Sequence, residues 1–412
     1  MSIVVQKFGG TSVADAAKIR KAAGRAIDAV KEGKQVVVVA SARGKQTDVL
    51  VADALELNPN PPKREMDMLL STGEQQTVSL MAMALEHMGY PAISFTGTQI
   101  EMLTDAAHSR ARIQSIGAEK IHKQLDRGRI VIVAGFQGMD EDGNITTLGR
   151  GGSDTSAVAL AAALGAEACE IYTDVDGIYT TDPRKFPAAV KMDMISYDEM
   201  LELASLGAGV MHGRAIEFGK KYNVTIHVRS SMEEKQGTLI THEVPQMEGI
   251  LVSGATMQND LAKVGLLGVD NKPGSAAKIF AHLAKSQVVV NDIIQVEISE
   301  EKANLSFTTE KSNLDDAKKA IEEIMDEVHC QSMFIRQDIS EVSIVGVGMR
   351  SHYGVAETMF KTLADKKVNI DSITTSEIRI SVIVDLDQGQ EALVALCEAF
   401  ELDKPGDERN ND

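Results

Sequence analysis

Cysteine, clustered histidine, positive charge and long apolar runs are all scarce in this chain, and each scarcity removes a class of protein. Cys169, Cys330 and Cys397 are too few and too far apart for a disulfide framework or a CxxC metal knuckle. They read as small core or surface residues. The nine histidines show no HxxxH or HExxH spacing, so no protein-built metal site is expected. With 42 Lys and Arg against 60 Asp and Glu, the net charge of −18 repels nucleic acid and anionic membranes. Any phosphate ligand must be held by local cations. There is no stretch long enough to span a bilayer and no basic leader followed by an apolar segment, so the cytoplasm is the expected location. The GxxxxGK[ST] and GxGxxG nucleotide signatures are absent as well.

What is present is organised in two textures. The 412 residues, 43% hydrophobic, suit two or three domains. Up to about residue 245, β-branched runs alternate with alanine-rich stretches, the pattern of a mostly parallel sheet covered on both faces. Val36–Ala40, Ile130–Ala134 and Glu170–Thr173 read as strands. Ala14–Lys31, Gly73–Met88, Ile113–Arg127 and Ser156–Leu164 read as helices. Asn58–Lys63, with three prolines, reads as a loop. Beyond residue 245 a repeat appears at an offset of 80 residues: Gly268, Gly274, Ala276, Phe280, Leu283, Ala284, Val288 and Ile293 recur as Gly348, Gly354, Ala356, Phe360, Leu363, Ala364, Val368 and Ile373. Each copy has the βαββαβ layout of a ferredoxin-like module. A pair used only for dimerisation and a ligand-sensing pair both fit this layout. The charged end, Gly406–Asp412, reads as a frayed tail.

The chemistry is concentrated in two glycine turns. Lys7-Phe8-Gly9-Gly10-Thr11-Ser12 follows the apolar run Ile3–Val5, and Gly149-Arg150-Gly151-Gly152-Ser153-Asp154 makes a second strand-to-helix turn. Glycine lets the backbone approach an anion, and free N–H groups at a helix start donate to phosphate oxygens. Two such turns suggest one polyphosphate site, with Lys7 as a mobile positive charge. Asp154, just before the helix read at Ser156, has an N-cap as its plain role. Asp174-Val175-Asp176-Gly177 lacks an EF-hand ligand, and Lys185 stands where the closing glutamate would be, so calcium is rejected.

Taken together, KFGGTSV (Lys7–Val13), STGEQ (Ser71–Gln75), LGRGGSDTSA (Leu148–Ala157) and YTDVDGIYTTDPR (Tyr172–Arg184) resemble the aspartate kinases of the amino acid kinase superfamily. The tandem repeat resembles their paired ACT sensor domains. The resemblance implies an α/β fold: a three-layer αβα sandwich with a mostly parallel sheet over residues 1–245. Two ferredoxin-like ACT domains would follow, at 246–338 and 339–412. It also implies transfer of the ATP γ-phosphoryl group to the side-chain carboxylate of L-aspartate, giving 4-phospho-L-aspartate for lysine, threonine, methionine and diaminopimelate synthesis. Mg²⁺ would arrive with ATP, bound by phosphate oxygens and water.

Residue by residue, the resemblance makes Lys7 and Asp154 catalytic, Lys7 as the charge on the transferring phosphoryl group and Asp154 as its organiser. Arg150 would grip the aspartate α-carboxylate and Glu74 the ammonium. Ser41, Thr47 and Ser153 would complete the pocket, although turn capping also fits Ser41 and Thr47. Lys7, Gly9, Gly10, Ser12, Thr173, Asp174, Tyr179, Asp182 and Arg184 would surround ATP. From Gly207–Phe218, where Gly209 and Gly213 stand in place of a lysine and a proline found in relatives, no contact is assigned. Gly274, Ala276 and Gln295 with Asn369 and Ile370 match a threonine site, so threonine, lysine or both are expected effectors. The two pockets of the repeat differ, with Val289 opposite Asn369, Asn291 opposite Asp371 and Tyr353 opposite Pro273. A homodimer or higher oligomer through the ACT domains is expected. The sequence leaves open whether Met247 or another internal methionine starts a separate regulatory subunit. The rival readings are a kinase for another carboxylate, such as glutamate or acetylglutamate, and an amino-acid sensor with an inactive kinase domain.

Overall fold

The computed structural model describes residues 1–207, 209–242, 244, 251–350 and 352–409. The boundary expected between residues 245 and 246, Met247, and the tail's last three residues lie outside these. The chain divides into two compact units, Met1–Tyr179 with Lys191–Met247, and Thr180–Val190 with Glu248–Asp412. No helix among the described residues is long and apolar enough to cross a membrane.

The first unit is built on an eight-stranded sheet. Its order is Met194–Ser196, Thr238–Thr241, Ile226–Ser230, Ala168–Thr173, Ile3–Phe8, Gln35–Ala40, Ile130–Ala134, Ala92–Phe95. Every pairing is parallel except that of Ile226–Ser230 with Thr238–Thr241. Ile3–Phe8 is buried along its whole length, as a central parallel strand covered on both faces must be. On one face the Ala16–Lys31 helix packs Ile19, Ala22, Ala23 and Ala26 into the same core as Val4, Phe8 and Tyr172. Phe8 stacks on Tyr172 with ring centroids 4.7 Å apart, an arrangement worth about 0.5–1.5 kcal/mol beyond area burial.

Several elements differ from the sequence reading, each for a local reason. The first glycine turn opens onto a single 3-10 turn, Gly10–Val13; the α-helix starts only at Ala16, where Asp15 caps it by accepting from the Lys18 N–H. The helix read from Gly73 runs from Lys63 to His87, starting directly after Pro62, a position proline tolerates. Gly73 is interior to it and makes room for Ala42, whose Cβ lies 2.8 Å from where a Gly73 Cβ would stand. Ile113–Ser115 is a strand paired with Leu103–Thr104, and the helix is only Glu119–Leu125, tertiary pairing having overridden local propensity. The helix read from Ser156 begins at Gly152, which places Asp154 inside its first turn and not at the cap.

In the second unit the repeat is visible as structure. Helices Ser275–Lys285 and Val355–Asp365 follow Gly274 and Gly354, whose φ values of +99° and +98° are nearly identical. The first module has the sheet order Asn291–Glu297, Lys302–Glu310, Leu261–Asp270, Ser332–Arg336. The second is Gly254–Gln258, Ile339–Val345, Arg379–Asp385, Ser372–Thr375. Its outer strand, Gly254–Gln258, precedes the first module in the chain yet pairs antiparallel with Ile339–Val345. A division at residue 338 does not describe that strand. Of the expected tail, Gly406–Glu408 forms a 3-10 turn.

Candidate active site

Lys7 stands near the carboxyl end of the central strand, with Val39 and Ile171 as its neighbours in register. Its Nζ lies 2.6 Å from Asp154 Oδ1, both side chains being nearly buried, in a charge contact and not an aligned hydrogen bond. Asp154 is carried there by the Gly152–Leu164 helix, whose N-cap Gly151 has φ +69° in the left-handed region. A Cβ at Gly151 would meet the His212 side chain at 2.2 Å, so this turn requires glycine on both counts. Of the helix's first-turn N–H groups, that of Gly152 donates to the Gly149 carbonyl at 2.9 Å, and those of Ser153 and Asp154 have no intrahelical acceptor.

These groups line one cavity of about 310 Å³ together with Gly9, Gly10, Ser41, Thr47, Glu74, Arg150 and Ser153. The cavity therefore gathers every residue expected to contact the amino-acid substrate. It also contains Ala42, Gly44, Phe136, Gly149, Gly151 and Gly152, which the sequence reading did not assign. Glu74 is 3% exposed; Oε1 accepts from the Ala42 N–H at 3.0 Å, while Oε2 has no partner. Burial pushes its carboxyl up to about 7, against the pull of backbone N–H donors. Arg150, at the mouth of the cavity, makes no ion pair or hydrogen bond among the described residues and so presents its whole guanidinium fork. The cavity thus holds one paired cation, one unpaired cation and one half-satisfied buried carboxyl.

The remaining expected ATP contacts are more dispersed. Ser12 is buried with an unpartnered hydroxyl but lies outside the cavity lining. Thr173 ends the strand beside that of Lys7 and donates to Asp174 Oδ1 at 3.1 Å. Tyr179 donates to Asp176 Oδ1 at 2.9 Å. Asp182 and Arg184 belong to the second unit, where Arg184 Nη2 donates to Asp182 Oδ2 at 2.8 Å and holds that carboxyl below the ordinary aspartate range.

A separate cavity of about 330 Å³ lies within the second unit, lined by Val269–Ala276, Ile279, Gln295 and Leu305. It brings together Gly274, Ala276 and Gln295; Asn369 and Ile370 lie in the other module and do not line it.

The amino acid kinase family matches residues 2–230, and an ACT domain matches residues 342–400. An aspartokinase of Bacillus sp. (strain MGA3) is 50% identical over 402 residues, 98% of each chain. The crystal structure of E. coli aspartokinase III in complex with aspartate and ADP (R-state) superposes with a TM-score of 0.80 at 26% identity, over 96% of this chain and 99% of that one. Its complex with lysine and aspartate (T-state) gives 0.76 at 25% identity, over 97% and 99%. Fold, motif order and full-length identity agree: this chain belongs to the aspartokinase family, phosphotransferases of the amino acid kinase fold with C-terminal ACT domains.

Proposed function

We propose that the cavity binds L-aspartate, with Arg150 on the α-carboxylate and the unpartnered Glu74 oxygen on the ammonium. The side-chain carboxylate is then directed at the γ-phosphoryl group of ATP. The observation that carries this reading is the pair of unsatisfied, oppositely charged groups, Arg150 and Glu74, in the cavity that also holds the Lys7–Asp154 contact. A zwitterion satisfies both at once. The reaction needs no general base, because a carboxylate nucleophile with a reference pKa near ~3.9 is already ionised. Positioning and electrostatic stabilisation suffice. Lys7 neutralises charge developing on the transferred group. Asp154 fixes the ammonium, and Gly9, Gly10 and the first turn at Gly152 supply backbone donors. Ser41, Thr47 and Ser153 pack around the amino acid.

Thr173, Asp174 and Tyr179 are assigned to the nucleotide, and Asp182 and Arg184 to its ribose or phosphates. Mg²⁺ is assigned to the ATP phosphates and water. The product is 4-phospho-L-aspartate, the entry to lysine, threonine, methionine and diaminopimelate. Lysine, threonine or both act at the Gly274, Ala276 and Gln295 cavity, with Asn369 and Ile370 assigned to the same effector function; the lysine-bound E. coli relative supports this. The edge strand Asn291–Glu297 leaves Ile293 and Val296 more than half exposed, which favours pairing with a second copy.

The test is hydroxamate formation from ATP, Mg²⁺, hydroxylamine and each candidate acceptor. Product with aspartate alone, suppressed by lysine or threonine, is expected. Product with glutamate instead, or ATP binding without product, would replace this reading by one of its rivals.

A further inference from the structure

Arg150 is exposed on a glycine-rich turn, yet the segment leading to it is held by two charged side chains that do not line the cavity, Asp67 through the Thr147 hydroxyl and Arg214 through the Leu148 carbonyl. Asp67, fully buried on the Lys63–His87 helix, accepts from Thr147 Oγ1 at 2.5 Å, from the Ser109 N–H at 3.0 Å and from His108 Nδ1 at 2.8 Å. Arg214, on the Gly213–Tyr222 helix, donates Nη1 to the Leu148 carbonyl at 2.6 Å and Nη2 to the Ala111 carbonyl at 2.9 Å. Residues 147 and 148, just before the Gly149–Arg150 turn, are therefore each gripped. So is the 108–111 segment, whose Ser109 carbonyl comes within 2.8 Å of where a Gly149 Cβ would stand. Ser109 has φ +70°, a strained conformation for a serine, and its N–H is the one Asp67 holds.

Asp67 and Glu74 are seven residues apart on one helix, two turns, so both project from the same face. We propose that Asp67 and Arg214 are positioning residues for Arg150, and that the Lys63–His87 helix sets the distance between the two ends of the amino-acid site. It carries the ammonium-binding Glu74 directly and anchors the carboxylate-binding Arg150 through Asp67. This rests on the aspartate-binding reading above. Buried charged groups with several donors are costly to disrupt, so the turn has one arrangement while the network is intact.

The experiment is steady-state kinetics of the full chain on Asp67→Ala, Asp67→Asn and Arg214→Lys, each alone and combined with Arg150→Lys. Asp67→Ala is expected to raise the aspartate KM about tenfold or more, while the ATP KM stays within about twofold. Arg214→Lys keeps the charge but cannot serve both carbonyls, so it shows the same split more weakly. In the Arg150→Lys background the Asp67 variants should add less than about twofold, because a residue acting through Arg150 then has little left to position. Full multiplication of the two effects, or a loss of kcat and melting temperature with unchanged aspartate KM, overturns the proposal and leaves a plain structural role. If Arg150→Lys alone leaves the aspartate KM unchanged, the aspartate-binding reading itself fails. Should Asp67→Ala not fold, Asp67→Asn and Arg214→Lys carry the same test.

Discussion

The cavity proposed as catalytic and the one proposed as regulatory are near-equal in volume, about 310 and 330 Å³, and each forms beside a glycine in the left-handed region at a helix start. Gly151 precedes Gly152–Leu164 and Gly274 precedes Ser275–Lys285. They differ in where charge is left unneutralised. Around the first, among the described residues, Glu74 Oε2 and Arg150 have no partner and Lys7 is paired only with Asp154. Around the second, the one carboxylate in the lining, Asp270, is bonded by Lys272 at 2.5 Å, His329 at 2.8 Å and Lys302 at 3.1 Å. Those three hydrogen bonds, that of Lys272 foremost, hold it well below the usual carboxylate range. The same turn chemistry thus serves two purposes. Open charge suits a site where charge moves during reaction, and cancelled charge with exposed main chain suits recognition alone.

The largest effect that sharpens this contrast is expected at Lys7. Lys7→Ala should cut kcat by about 10² to 10³-fold, by analogy with removing one oriented charge stabiliser, as read in the hydroxamate assay. An unchanged rate removes Lys7 from the mechanism.

Next comes the pH dependence of Glu74. A carboxyl lifted by burial to about 7 binds the ammonium only when ionised, so the aspartate KM should rise as pH falls below about 7. Glu74→Gln should raise KM and flatten that dependence. The stability effect has a defined sign. With the folded value above the unfolded one, the native state holds the proton more tightly, so Glu74 lowers stability progressively as pH rises from its unfolded value through about 7. Glu74→Gln should accordingly be more stable than the parent at pH 8, by on the order of 1–3 kcal/mol in denaturant melts. A flat aspartate KM between pH 6 and 8 in the parent contradicts the ammonium assignment.

The smallest expected effect belongs to the regulatory cavity. Gln295→Ala should weaken lysine or threonine inhibition by about 2 to 10-fold, the worth of one hydrogen bond, without altering the aspartate KM measured free of effector. An altered aspartate KM with intact inhibition would break the division of labour between the two cavities.

The sequence made the chemistry more legible than the joints. The glycine turns mark Lys7 and Arg150, the family resemblance adds Glu74 and Asp154, and all four line one cavity. The 80-residue repeat is equally plain, and at its helix starts Gly274 and Gly354 need the same positive φ, whereas Gly268 and Gly348 do not share one. The start of the Gly152 helix was misplaced because two glycines read as loop; only the left-handed Gly151 shows that the helix begins there. Strand Gly254–Gln258 could not be assigned locally, because its pairing with Ile339–Val345 is long-range. Asp67 left a usable signal, an acidic residue two helical turns before Glu74, hidden only because the helix was read as starting at Gly73.

The most direct test of the account is the kinetic split between the two ends of the catalytic cavity, with aspartate and ATP each varied for Arg150→Lys beside the parent. A strongly raised aspartate KM with the ATP KM nearly unchanged is predicted, because in the proposed reading the guanidinium fork serves only the amino-acid carboxylate. Equal increases in both KM values would contradict the assignment and return Arg150 to the nucleotide.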